Sequence, residues 1–181
     1  MGVVEWVGSV SLFKVGGGDM DTLRIRTSYA HADIDFEVVY GFLSTSYWCE
    51  GIRRDVLLRA VERSLVVSAL LQNEDGSESQ IGFLRIVSDG ATFAYMCDVF
   101  VLEPYRGKGV FQRMNAAADA HPEITSTRRW MLATLDAHGV YAKLGYTPLA
   151  SPARWMERMS DRSLWHSAGA SSRLPGCSQD C

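Results

Sequence analysis

The chain has 181 residues, of which 47% are hydrophobic and 22% charged, with a net charge of −3. That size and balance suit a single globular domain and exclude a disordered chain. So small a negative charge gives no general attraction to nucleic acid or to an anionic membrane, so any polyanion site has to be local.

In chain order, residues 1–19 end in Gly16-Gly17-Gly18 and read as a flexible extension, with Met20 an alternative initiator. The start lacks the Lys/Arg-then-apolar order of a signal peptide. The longest apolar run, Leu65 to Leu71 broken by Ser68, is too short to span a bilayer. The expectation is a cytoplasmic protein with no membrane partner. A strand is predicted from Thr22 to Thr27. Asp33 is the expected cap of a helix whose Ile34, Val38, Val39, Phe42 and Leu43 share one face. A second helix, about Arg53 to Ser64, should bury Val56, Leu57, Ala60 and Val61 and turn Arg53, Arg54, Arg59 and Arg63 to solvent.

Leu65 to Leu71, Gln80 to Val87 and Thr92 to Leu102, joined by "NEDGSES" and Asp89-Gly90, form a three-stranded antiparallel meander. A helix from about Gly107 to Ala120 follows, then a strand at Arg129 to Thr134 and a short helix through Ala137 to Leu144. Two further strands are expected near Tyr146 to Leu149 and Arg154 to Met159. This order predicts an α+β (mixed α/β) domain over residues 20–160, without internal repeats. Residues 161–181 read as a disordered tail. Cys49 and Cys97 sit among apolar residues as reduced core thiols, and Cys177 and Cys181 have no partner at zinc spacing, so no metal site is expected.

The chemistry concentrates in "DVFVLEPYRGKGVFQRM", residues 98–114. The first amides of a helix have no intrahelical partners and, with the helix dipole, attract anions. Gly107 and Gly109 have no Cβ to hold a pyrophosphate away, and Arg106 and Lys108 add positive charge. The string G-x-x-x-x-G-K-[ST] of a P-loop is missing. The third glycine of a dinucleotide fingerprint is missing too, and the preceding strand belongs to a meander where that fingerprint needs a βαβ unit. From the residues alone, a phosphate-cradling turn and a glycine turn with solvated cations both stay open.

"VFVLEPYRGKGV" resembles motif A of the GNAT N-acetyltransferase family, and "DAHGVYAKLGYTPL" resembles that family's later helix with its L-Y-x-K-x-G-F pattern. "RRWMLATLDAHG" further resembles a bacterial GNAT subgroup, and the likeness extends over about residues 20–160. The resemblance implies the GNAT fold: a mostly antiparallel sheet, flanked by helices and splayed at a parallel strand pair. It also implies an acetyl-CoA-dependent N-acetyltransferase acting directly on a primary amine of a small molecule or peptide. The alternative is a CoA-binding protein of the same fold without turnover. No nucleic-acid partner is implied. A homodimer is common in the family, but no feature here establishes one.

Carried to matching positions, the backbone of Val99, Phe100 and Val101 would pair with the pantetheine arm. Amides of Arg106, Gly107, Lys108, Gly109, Val110 and Phe111 would hold the pyrophosphate. Tyr141 matches the tyrosine that protonates the departing thiolate. Asp98, a carboxylate in an apolar strand, is either the general base or a structural carboxylate. The family's usual Asn seven residues before the tyrosine is Thr134 here, whose hydroxyl can still bond the cofactor. Phe111 stands where the family places Gly or Ala. Its ring either obstructs the phosphates or turns inward beside Met114 and Ala118. Asp136 is expected to cap the tyrosine helix, and "STSYWCEGIRR" with Tyr47, Trp48, Glu50, Arg53 and Arg54 to overhang the acceptor side.

Overall fold

The structure, a computed structural model, describes residues 23–161 and 164–166. The extension 1–19, Met20, Thr22, Cys177 and Cys181 lie outside the described residues, as does the tail beyond His166.

Among the described residues five strands form one sheet in the order β1-β2-β3-β4-β5. They are β1 (Ile25–Ser28), β2 (Leu65–Gln72), β3 (Glu78–Ser88), β4 (Ala94–Val101) and β5 (Trp130–Met131). The first four are antiparallel neighbours, and β5 joins β4 in parallel. Among the described residues four α-helices flank the sheet: α1 (Phe36–Leu43), α2 (Arg54–Glu62), α3 (Val110–Asp119) and α4 (His138–Ala142).

Helices on both faces explain why β2 reads as a nearly continuous apolar run, with Val66, Val67 and Ala69 fully buried. One face packs Val67, Leu84, Ile86 and Met96 against Met114 and Ala118 of α3. The other packs Val66, Phe83 and Phe100 against Val39 and Leu43 of α1 and Leu57 and Val61 of α2. Gly82 lets α3 lie close to the sheet. A Cβ there would stand 3.1 Å from Met114 Sδ and 3.2 Å from the Phe100 carbonyl.

The local chemistry departs from expectation in three places. Asp35, not Asp33, caps α1, accepting from the amides of Glu37 and Val38. Asp33 instead pairs with Arg26 at 2.9 Å and accepts from Ser28 Oγ. The parallel strand is two residues long, where Arg129 to Thr134 was expected. Residues 146–149 and 154–159 form no strands. Pro148 and Pro152 lack the N–H a ladder needs, Pro152–Arg154 is a 3-10 turn, and Met156 is 97% exposed with no neighbouring strand to cover it. In the segment read as a tail, His166 bridges to Ile52 and Trp165 packs beside α1 and α2. No helix among the described residues is long and apolar enough to cross a membrane.

His121 follows α3, buried at 5% exposure, with its ring edge-on to Tyr29 and Nδ1 accepting from the Glu123 amide at 3.3 Å. Burial lowers its pKa below the ordinary histidine value. The native state therefore binds fewer protons than the unfolded chain between the lowered value and about 6.5. Stability should be full above that window and fall as pH drops through it. Urea unfolding at pH 7.5 and 5.5 should show this loss in the wild type and a clearly smaller one in His121→Phe. An equal loss in both would contradict the assignment.

Candidate active site

The site begins with a fault in the β3–β4 ladder. Arg85 pairs with Cys97 and Phe83 with Phe100, so one β3 residue faces two of β4, Asp98 and Val99. At this bulge Asp98 has φ 53°, and it is the one non-glycine residue with positive φ among those described. Aspartate tolerates the left-handed region better than most residues. The extra residue changes which side chains face which helix. Ala94 and Met96 face α3, and beyond the bulge Val99 and Val101 do, while Phe100 turns toward α1 and α2.

Asp98 is 5% exposed, and its Oδ2 accepts from Arg85 Nε at 2.6 Å. Arg85 also donates to Ser64 Oγ at 3.0 Å, and Cys49 Sγ donates to Asp98 Oδ1 at 3.6 Å. Burial, then the neighbouring Asp98 carboxylate, pushes the Cys49 thiol up, and burial raises Cys97 to about 12. Neither thiol is a nucleophile at neutral pH.

Beside the bulge the sheet splays. Among the described residues the β4–β5 pairing covers only Ala94 with Trp130 and Tyr95 with Met131, and β4 runs on to Val101 without a partner strand on that side. The wedge leads to the glycine turn, where Gly107 and Gly109 both take left-handed φ, 71° and 74°. Gly109 is the N-cap of α3, so the next amides face out of the helix start. Arg106 Nε donates to the Val101 carbonyl at 3.0 Å, tying the turn to the end of β4. Lys108 lies over the Tyr105 ring, 6.0 Å from its centroid.

The far wall is aromatic. Phe111 turns inward and meets the Tyr141 ring edge-to-face at 5.6 Å, and Tyr146 meets Tyr141 from another side at 5.8 Å. Burial raises the Tyr141 pKa, with Tyr47 and Asp136 adding to it, and burial carries Tyr146 up to about 12. The expected cap at Asp136 does not form: α4 starts from its N-cap Ala137 without a side-chain cap, and Thr134 Oγ1 accepts from the Ala137 amide at 3.0 Å in the turn before it. Tyr47 reaches across from the segment after α1, its hydroxyl accepting from the Leu135 amide at 3.2 Å.

The expected acceptor-side arginines are occupied elsewhere. Arg53 pairs with Asp55, while Arg54 pairs with Glu37 and lies over the rings of Phe36 and Tyr40. A cavity of about 660 Å³ is lined by residues that include Arg129, Trp130, Met131, Tyr146, Arg154 and Trp155. Among the described residues, no three His, Cys, Asp or Glu side chains gather to hold a metal ion.

Three contributors escaped the sequence reading: Arg85, the Tyr47–Leu135 tie and Tyr146. Arg85 left a signal. It is a lone cation in the apolar run of β3, one hairpin away from Asp98, a lone anion in the apolar run of β4.

Residues 62–148 match the family model described as an acetyltransferase (GNAT) domain. Among solved structures the chain is similar to a Xanthomonas campestris pv. campestris protein assigned to the GNAT family. The identity is 38% over 76% of this chain and 94% of that one, with a TM-score of 0.69. A Clostridium acetobutylicum acetyltransferase solved with acetyl-CoA shares the fold at 15% identity, over 76% of this chain and 96% of that one, with a TM-score of 0.53. Among curated proteins the chain is 35% identical over 68 residues to a candidate acetyltransferase of Gibberella zeae. That match takes in 35% of this chain and spans 37% of that protein's length.

The buried pair gives a direct prediction. Asp98→Asn keeps a side chain tolerant of positive φ but leaves Arg85 without its counter-charge. Urea unfolding should show a loss of about 3 kcal/mol, which Arg85→Met in the same chain largely restores. A loss below about 1 kcal/mol, the scale of an exposed pair, would mean that the pair does not hold the bulge.

Proposed function

The chain belongs to the GNAT acetyltransferase family, and on that premise we propose that it transfers the acetyl group of acetyl-CoA directly to a primary amine. The observation that carries this reading is the wedge itself. An unpaired length of β4, distorted by a bulge at Asp98, ends at a left-handed glycine turn that opens a helix.

In this reading acetyl-CoA supplies an activated thioester, and the chain's residues bind and orient it. The free edge of Val99, Phe100 and Val101 offers backbone groups to the pantetheine amides as an added strand would. Amides from Gly107 through Phe111 surround the pyrophosphate, since the Arg106 amide is taken by the Glu103 carbonyl at 3.2 Å, and the Arg106 and Lys108 side chains supply charge at its rim. The bulge turns an N–H of the 99–101 segment toward the thioester carbonyl, where it stabilises the charge that grows on oxygen during amine attack. The Tyr141 phenol, protonated at neutral pH and held further from ionisation by burial, donates its proton to the departing thiolate as the C–S bond breaks, and the attacking nitrogen gives up its surplus proton to solvent, from which the phenolate recovers its own.

Asp98 serves as the anchor of the bulge, since Arg85 and Cys49 take up both its oxygens. Thr134 keeps its hydroxyl proton for the cofactor, because its oxygen is the acceptor in the bond to Ala137. The Phe111 ring forms the floor beneath Tyr141 and leaves the backbone amide of residue 111 available. A cytoplasmic location fits a reaction that uses acetyl-CoA. The second reading, CoA binding without turnover, draws on the same Phe111 ring, which occupies space beside Tyr141 where the family's small residue would leave none filled.

Calorimetric titration of acetyl-CoA should give micromolar binding, little changed in Phe111→Gly. With an amine screen that detects thiol release, Tyr141→Phe should lower kcat about a hundredfold while leaving acetyl-CoA affinity within twofold. Binding without thiol release from any amine would favour the second reading. No binding to either protein would overturn both.

A further inference from the structure

The cavity of about 660 Å³ has the size of a small-molecule site, and its wall is drawn from separate parts of the chain. Asp119 ends α3, Arg129 precedes β5, Tyr146 comes after α4, and Arg154 closes the 3-10 turn Pro152–Arg154. None of Val99 to Val101, the 106–111 turn, Thr134 or Tyr141 lines it. The residues that the acetyl-transfer reading assigns to the cofactor therefore leave this cavity unexplained.

Two guanidiniums line the cavity, and neither has a carboxylate. Arg26, Arg53, Arg54 and Arg85 each pair with Asp or Glu, whereas Arg129 and Arg154 have no ion pair among the described residues. Arg129 is placed by other contacts. Its carbonyl accepts from the Ala94 amide at 2.9 Å, and its guanidinium lies over the Trp155 ring, 5.5 Å from the centroid. A guanidinium stacked on an indole keeps its N–H edge free for a further partner. Asp119 lines the cavity too, but its Oδ2 accepts from Asn115 Nδ2 at 2.9 Å and it pairs with neither arginine.

The lining segment 147–151 adds donors. Among the described residues the backbone N–H groups of Thr147, Leu149, Ala150 and Ser151 have no acceptor. Amides and guanidiniums without protein acceptors suit an anion. Two guanidiniums against one carboxylate leave one positive charge in excess, which matches a monoanion better than a dianion. Trp155 and Tyr146 supply flat apolar faces beside those donors.

We propose that this cavity is a second small-molecule site, which takes a carboxylate carried on a flat aromatic body. Arg129 and Arg154 hold the carboxylate, and Trp155 and Tyr146 lie beside the ring. The proposal does not depend on the acetyl-transfer reading. Tyr146 links the site to the wedge, since its ring also meets Tyr141 at 5.8 Å.

The test titrates the full chain calorimetrically with 2-naphthoate and with 2-naphthamide, which has the same ring system and no charge. 2-Naphthoate should bind at one site with a dissociation constant on the order of 0.1 mM. 2-Naphthamide should bind at least about tenfold more weakly, because the charge-assisted hydrogen bonds are lost. Arg129→Gln and Arg154→Gln should each weaken 2-naphthoate about tenfold, and Trp155→Ala about fivefold. All three residues are exposed, so the variants should keep the wild-type circular dichroism spectrum. The comparison of the two probes on the wild type decides the matter even where a variant unfolds. No binding of 2-naphthoate, equal affinity for both probes, or folded arginine variants that bind 2-naphthoate as the wild type does would each overturn the proposal.

Discussion

The buried ion pair between Arg85 and Asp98 is the constraint on which the site depends. It joins the two central strands at the residue where β4 departs from its ladder, with Asp98 at φ 53° and 5% exposed. Two charges taken out of water are costly, and Coulomb attraction repays that cost only where geometry is good and the remaining hydrogen-bonding capacity is used. Here Ser64 and Cys49 take up part of what remains. A backbone in the left-handed region adds of order 1 kcal/mol for a residue with a Cβ. A strained, charged residue deep in a sheet therefore persists because its surroundings over-determine it, and its effect is to aim the backbone of the next three residues.

From that point the architecture is a consequence of packing on two faces. The bulge lets Val99 and Val101 join the α3 side while Phe100 fills the α1–α2 side, where it stacks on Phe42 at 4.1 Å. Gly82 opposes Val101 across the ladder and keeps α3 close, so the helix start that follows the glycine turn lies beside the unpaired edge of β4. The other wall, α4, is held by edge-to-face rings, with Tyr141 between Phe111 and Tyr146. Tyr47 ties the segment after α1 to the turn before α4. The wedge therefore has walls from separate parts of the chain, and contacts between those parts hold them in place.

Much of this was legible from the residues. The meander of β2, β3 and β4 follows from apolar runs bounded by "NEDGSES" and Asp89-Gly90, because short-range turn chemistry fixes antiparallel pairing. The glycine turn was legible because left-handed φ and exposed cations require those residue types. The bulge was not legible, since an extra residue in a ladder shows only in the register of two strands. The cap of α1 was not legible for a related reason: Asp33 and Asp35 lie two residues apart, and a tertiary partner, Arg26 for Asp33, decides which oxygen reaches the helix. The closing strands failed because alternation near Arg154 to Met159 states a preference, whereas a strand needs a partner edge.

On the proposed mechanism, the bulge held by Arg85 and Asp98 presents a backbone N–H to the thioester carbonyl. Isotope-edited infrared spectroscopy of acetyl-CoA carrying a carbon-13 carbonyl reads that contact without an amine present. The carbonyl stretch should move to lower wavenumber on binding than in water, and the shift should shrink in Asp98→Asn while the cofactor remains bound. A bound carbonyl that absorbs at the aqueous frequency, or a shift untouched by the substitution, would contradict it.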